Sequence, residues 1–203
     1  MPACIWNIRR RPIAGQEENV LRCAIGHMEA HGLPGNVTTS LATVGDNGGW
    51  VTNTIQFESF DALEEFHDGV ISNESAQNRL AETASLCQSV ETNILERIKA
   101  AENIPDGFVP KYMARVIFTA KLGMTGELIE ALLETRESNP GIKGAITRPI
   151  SSGQRVRITQ VYANLDDVRA GLARVQDPGT PRKWVEFAQT VVRPVSRIRY
   201  FKS

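Results

Sequence analysis

The sequence predicts an α+β fold in which one ferredoxin-like β-α-β-β-α-β unit is written twice and the two copies pack sheet to sheet as a pseudo-dimer. Three observations predict it. "ACIWNIRRRPI", starting at residue 3, lies against "ARVIFTAKLGM", starting at residue 114, and both read as a strand followed by a turn and a helix start. "GGWVTNTIQFESFDAL" lies against "GQRVRITQVYANLDDV", so that Gly48 matches Gly153, Val51 matches Val156, Thr54 matches Thr159, Phe57 matches Tyr162 and Asp61 matches Asp166. Between the copies stands "AAENIPDGFVPK", where Pro105, Gly107 and Pro110 stop any helix from running across. The expected organisation is a first unit over residues 1–100, a linker over 101–111 and a second unit over 112–203.

Each element follows from local pattern. Extended strands are expected over 4–11 and 113–122, and amphipathic helices over 17–31 and 126–138. The breaks "HGLPGN" and "SNPGIKG" end those helices. Strand pairs follow at 37–44 with 50–57 and at 142–150 with 155–163, joined by "GDNGG" and "SSGQ", which read as hairpin turns. Ser59 and Asn164 each precede a helical apolar pattern and can accept a backbone N–H bond, so both read as N-caps. A further helical stretch is expected at 74–88 and at 180–191, and a last strand at 90–98 and at 194–202.

Composition narrows the class. The 203 residues are long enough to bury a sizeable core, and 41% apolar with 23% charged residues is the balance of a globular protein. No apolar run is long enough to cross a membrane, and "MPACIWNIRRR" lacks the apolar core of a secretory signal, so a cytoplasmic protein without membrane partners is expected. Cys4, Cys23 and Cys87 are an odd number without motif spacing, which argues against a disulfide framework. The zero net charge hides a division. Residues 1–107 carry 7 Lys and Arg against 15 Asp and Glu, while residues 108–203 carry 16 against 8. The basic residues are dispersed and no aromatic-rich motif accompanies them, so docking between the halves, or between copies in a homo-oligomer, is expected rather than a nucleic-acid partner.

This order of elements resembles the dimeric α+β barrel superfamily, which includes antibiotic-biosynthesis-type monooxygenases, EthD-like proteins, stress-responsive barrel proteins and NIPSNAP-type proteins. The NIPSNAP resemblance rests on "LDDVRAGLARVQDPGTPRKWVEF" and the closing "RIRYFK". The resemblance implies oxidation of small aromatic or quinol substrates, or of haem, inside the barrel without a flavin; no cofactor is expected. Members that degrade haem use an Asn on the first strand with a Trp and a His from the second helix. Asn7 stands at the first of these places, but Phe66 stands where the Trp would be and Gln77 near the place of the His.

The residues themselves offer three candidate constellations. Cys23, His27 and His31 follow at four-residue spacing on the flank of the first helix, the spacing at which side chains can share a metal ion, although a zinc site wants a fourth ligand. Cys87 and His67 are the residue types of a nucleophile pair but carry no local signature. Strand texture points to a ligand. Thr52, Thr54 and Gln56 alternate with Val51, Asn53, Ile55 and Phe57, and Arg157 and Thr159 alternate with Val156 and Ile158. The apolar sets should pack on the helices, so the polar sets should face the opposite sheet, where burial is costly unless they line a cavity. The function expected is therefore small-molecule binding in a cavity between the sheets, lined by Trp6, Thr52, Thr54, Gln56, Arg157 and Thr159. The alternative is a cofactor-free monooxygenase-like enzyme acting on a small aromatic or polar substrate there, with Asn7 and His67 as catalytic candidates.

Overall fold

A computed structural model describes residues 3–41, 49–138, 141–176 and 182–202. In chain order the elements are β1 (Cys4–Pro12), α1 (Glu17–His31), β2 (Gly35–Ser40), β3 (Val51–Phe57), α2 (Phe60–Ser72), α3 (Glu74–Ser85), β4 (Cys87–Lys99), β5 (Tyr112–Ala120), α4 (Thr125–Glu137), β6 (Ala145–Pro149), β7 (Arg155–Tyr162), α5 (Leu165–Gln176), a 3-10 turn at Lys183–Glu186, β8 (Ala188–Val192) and β9 (Val195–Lys202). The chain divides into two compact units, Met1–Glu96 with Ser196–Ser203, and Arg97–Val195. Of the expected "GDNGG" turn, residues 45–48 lie outside the described residues, as do residues 139–140 of the "SNPGIKG" break.

In the first unit the antiparallel sheet runs β4-β1-β3-β2-β9. The last strand of the chain extends the first unit's sheet, pairing Gly35 with Lys202 through to Ser40 with Ser196. Pro194 breaks the run between β8 and β9, and its carbonyl accepts from Arg115 N–H of β5 at 3.0 Å. Val20, Leu21, Ala24 and Met28 of α1 are buried against Trp6, Ile8, Val51 and Ile55 of the sheet. Gly32 ends α1 in the left-handed conformation, and its N–H donates to Met28 O at 3.0 Å. Ser59 Oγ accepts from Ala62 N–H at 3.0 Å and starts α2, as expected.

In the second unit the order is β6-β7-β5-β8, all antiparallel. Asn164 Oδ1 accepts from Asp167 N–H at 2.9 Å and starts α5, the cap expected from sequence. The helix expected at 180–191 does not form among the described residues: a single 3-10 turn at Lys183–Glu186 gives way to β8. Thr190, Val191 and Val192 are β-branched and favour the strand, and Trp184 pins the turn by packing edge-on to Phe118 at 5.2 Å. The segment expected as a free linker is held to this unit. Buried Arg136 donates to Ala100 O at 2.6 Å and to Gly144 O at 2.9 Å and pairs with Glu102 at 3.3 Å, while Lys111 N–H donates to Tyr162 O at 2.9 Å.

Paired contacts fix how the units correspond. Ile13 N–H donates to Leu86 O and Lys121 N–H to Phe187 O, at 2.9 and 2.8 Å, just before the positive-φ turns at Gly15 and Gly123. Residue 13 thus matches residue 121, and by the same spacing Arg10 matches Phe118; the expected alignment of residue 3 with residue 114, which sets Phe118 opposite Asn7, is corrected by three residues. Asn7 matches Arg115, since Asn7 pairs with Thr54 and Arg115 with Thr159. Gly35 and Gly144 hold the matching start of the second strand, and a Cβ on either would meet a backbone oxygen, Thr54 O at 2.0 Å or Thr159 O at 2.9 Å. Gly35→Ala is therefore expected to lower stability by about 3 kcal/mol, the upper range for forced overpacking. Urea unfolding checks it, and a midpoint equal to that of the unaltered protein would contradict it.

Candidate functional site

A groove opens in the first unit on the helix side of its sheet. Its floor is Trp6, Ile8 and Arg10 of β1 with Asn53 and Ile55 of β3, residues that alternate along their strands and so share one face. His27 and His31 of α1 form one wall, Phe66 and Val70 of α2 a second, and Ala76, Arg79 and Leu80 of α3 a third. Its empty volume is about 410 Å³ with the solvent at its mouth included, a slot open to solvent.

Arg10 is the unusual residue of the floor. It is 2% exposed, and its Nη1 donates to Asn53 Oδ1 at 2.6 Å. Asn53, 1% exposed, donates in turn from Nδ2 to Ala24 O of α1 at 2.9 Å. Among the described residues no carboxylate pairs with Arg10, and none lines the groove. Burial pushes the Arg10 pKa down, but a guanidinium keeps its charge. Burial, then Arg10, His31 and Arg79, drive His27 down to about 4, so its imidazole is neutral at physiological pH. Burial and Arg79 also lower His31. Burial raises the Cys87 thiol, against the pull of Arg10, and its Sγ–H donates to Thr83 O at 3.2 Å.

Aromatic rings close one end of the slot. Phe66 packs edge-on to Trp6 at 5.9 Å and to His31 at 4.9 Å, and it tilts against Phe57 at 5.4 Å. His67 is exposed and packs edge-on to Trp6 at 5.5 Å. His67 and Cys87 thus have different neighbours. Among the described residues, no group of three or more His, Cys, Asp or Glu side chains is placed to share a metal ion. Two of the three residues of the helical stripe, His27 and His31, line the groove instead.

The other face of this sheet is polar and buried, as the strand alternation implies. Asn7 Nδ2 donates to Thr54 Oγ1 at 2.9 Å and to Asn53 O at 3.3 Å, and Thr52 lies beside them, also buried. Gln56 follows Thr54 on the same face, half-buried. In the second unit Val156 packs in the core with Phe118 and Ile158 against it, leaving Arg157 and Thr159 on the face away from that core. Of the six residues expected to hold a ligand, Trp6 lines the groove; Thr52, Thr54 and Gln56 point from the opposite face of the sheet, and Arg157 and Thr159 belong to the second unit. Asn7 and Phe66 consequently stand on opposite faces, and Gln77, exposed, donates to Ile71 O.

The second unit shows what this fold does with apolar side chains at the matching positions. Arg10 is matched by Phe118 and Asn53 by Ile158, and these pack in an apolar core with Leu128, Leu132 and Trp184. The fold therefore does not require the Arg10–Asn53 pair. Sequence reading placed Asn53 with the helix-facing set but passed over Arg10. The available signal was its period-two spacing from Trp6 and Ile8, which puts a charge on a buried face.

No family model matches the chain, and no curated protein matches it. Solved structures do. Over 100% of this chain and 95% of that one, it superposes on a presumed monooxygenase of Fusobacterium nucleatum at 9% identity and a TM-score of 0.73. An anthrone oxidase-like protein matches at 14% identity and a TM-score of 0.69, over 100% of this chain and 93% of that one. A presumed chlorite dismutase matches at 10% identity and a TM-score of 0.57, over 98% and 95%. These likenesses show the fold. It is α+β, of the dimeric α+β barrel type. Among the described residues no helix is long and apolar enough to cross a membrane.

Copying the second unit's pair into the first, Arg10→Phe with Asn53→Ile, is expected to leave stability equal or raise it by about 1 kcal/mol or more, because it removes a buried charge. Asn53→Ala alone, which strips Arg10 of its acceptor, is expected to lower stability by about 2–3 kcal/mol. Thermal unfolding of the two variants checks the order, and a double variant less stable than Asn53→Ala would contradict it.

Proposed function

We propose that this chain is a small-molecule-binding protein whose ligand lies in the groove between the first unit's sheet and its helices. The observation that carries the reading is the difference between matched positions: Arg10, Asn53 and the α3 wall in one unit, a packed Phe118–Ile158 core and a single 3-10 turn in the other. A polar set that the fold can do without, held at the bottom of an apolar slot, is the arrangement of a binding site, since such sites combine apolar walls with few fixed polar groups.

The second reading is an enzyme, a cofactor-free monooxygenase-like protein acting on a small aromatic or polar substrate in the same slot. Two fold neighbours carry the descriptions monooxygenase and anthrone oxidase-like. A neutral imidazole at His27, beside the guanidinium of Arg10, supports it chemically: the one can accept a hydrogen bond from a ring hydroxyl and the other can hold an oxygen that becomes charged. Neither Asn7 nor His67 lines the groove, so in this reading His27 takes the role first assigned to them.

Titration of the isotope-labelled protein with neutral aromatic fragments (indole, 2-naphthol, 2-naphthamide) followed by backbone amide shifts tests the binding reading. The largest shifts are expected at Trp6, His27, Asn53 and Phe66. Shifts confined to other surfaces, or none with any fragment, would contradict it. Oxygen uptake with 2-naphthol above the protein-free rate, lost in His27→Ala, would establish the enzymatic reading.

A further inference from the structure

The sign of the groove stands out against its surroundings. Residues 1–107 carry an excess of 8 acidic over basic side chains, yet the described lining holds Arg10 and Arg79 and no Asp or Glu. Arg79 is exposed at the mouth, and its Nη1 donates to Ser75 Oγ at 2.8 Å. Arg10 lies at the floor, with the amide oxygen of Asn53 as its acceptor. One amide dipole does not offset a buried unit charge; in folded proteins such a charge is paired, or else it waits for a partner. The matched Phe118 excludes a requirement of the fold for this charge. The remaining lining near the floor is ring and aliphatic surface, Trp6, Ile8, Ile55 and Phe66.

We propose that the groove recognises a flat aromatic monoanion, an aryl carboxylate being the simplest, with its charge held by Arg10 and met at the mouth by Arg79, and its ring against Trp6 and Phe66. The proposal rests on the binding reading above and adds the charge of the ligand. A carboxylate is the counter-ion the site lacks: it accepts two parallel N–H bonds from a guanidinium, and inside an apolar slot such bonds are stronger than in water. Neutral His27 and His31 then add donors or acceptors without adding a second positive charge at the floor.

Calorimetry with matched pairs tests it: benzoate, cinnamate and 2-naphthoate, each against its own uncharged amide. At least one carboxylate is expected to bind the unaltered protein roughly tenfold more tightly than its amide, the gain of a charge-assisted bidentate pair. Arg10→Met is expected to abolish that preference, and Arg79→Met, at an exposed position where folding is not at risk, to reduce it severalfold. Should Arg10→Met fail to fold by circular dichroism, the Arg79→Met result and the salt dependence of the carboxylate alone decide the matter. Equal affinity of acid and amide in all three pairs would overturn the anion proposal while leaving groove binding intact. Binding of none of them, with no groove shifts from the neutral fragments, would overturn both.

Discussion

Arg10 is a permanent charge placed where the fold wants a hydrocarbon. Its strand delivers Cys4, Trp6 and Ile8 to the buried face, and the next residue in that alternation is a guanidinium. It is tolerated because Asn53, on the neighbouring strand, turns its oxygen towards Arg10 and its nitrogen towards Ala24 O of the covering helix. The helix, two strands and the charge are thus tied in one chain of hydrogen bonds. Burial and then Arg10 keep His27 neutral, while at Cys87 Arg10 pulls against the burial that raises the thiol.

The second unit acts as an internal control. With Phe118 and Ile158 at the matching places, the same sheet and first helix close over an apolar core sealed by Trp184. Where the first unit has α3, the described residues of the second show one 3-10 turn, so among them the third wall of the groove has no counterpart. The histidines and cysteines lie in the first half of the chain, and the structure gives that asymmetry a place: His27 and His31 line the groove, and Cys87 lies close enough to Arg10 to feel its charge.

Much of the fold was legible in short-range pattern. Ser59 and Asn164 cap their helices because a side-chain oxygen before an apolar helical run has few other uses, and the alternation of β3 correctly separated Asn53 from Thr52 and Thr54. What failed depended on longer-range pairing or on competing local preference. The 180–191 stretch carries a helix-like apolar spacing, but its β-branched end and Pro194 favour a strand. The pairing of residues 195–202 with β2 is a long-range contact that no local pattern reveals. The proposed groove escaped notice for a similar reason. A polar strand face was taken to need a ligand, and on it Asn7 bonds to Thr54, whereas Arg10, a charge facing the helices, was hidden among three consecutive arginines.

The most direct test of the central claim is a crystal structure of the protein with 4-bromobenzoate, the bromine located by its anomalous scattering. The bromine is expected in the groove against the rings of Trp6 and Phe66, with both carboxylate oxygens about 3 Å from the Arg10 guanidinium nitrogens. Bromine found outside the groove, with Arg10 bonded to Asn53 alone, would contradict it.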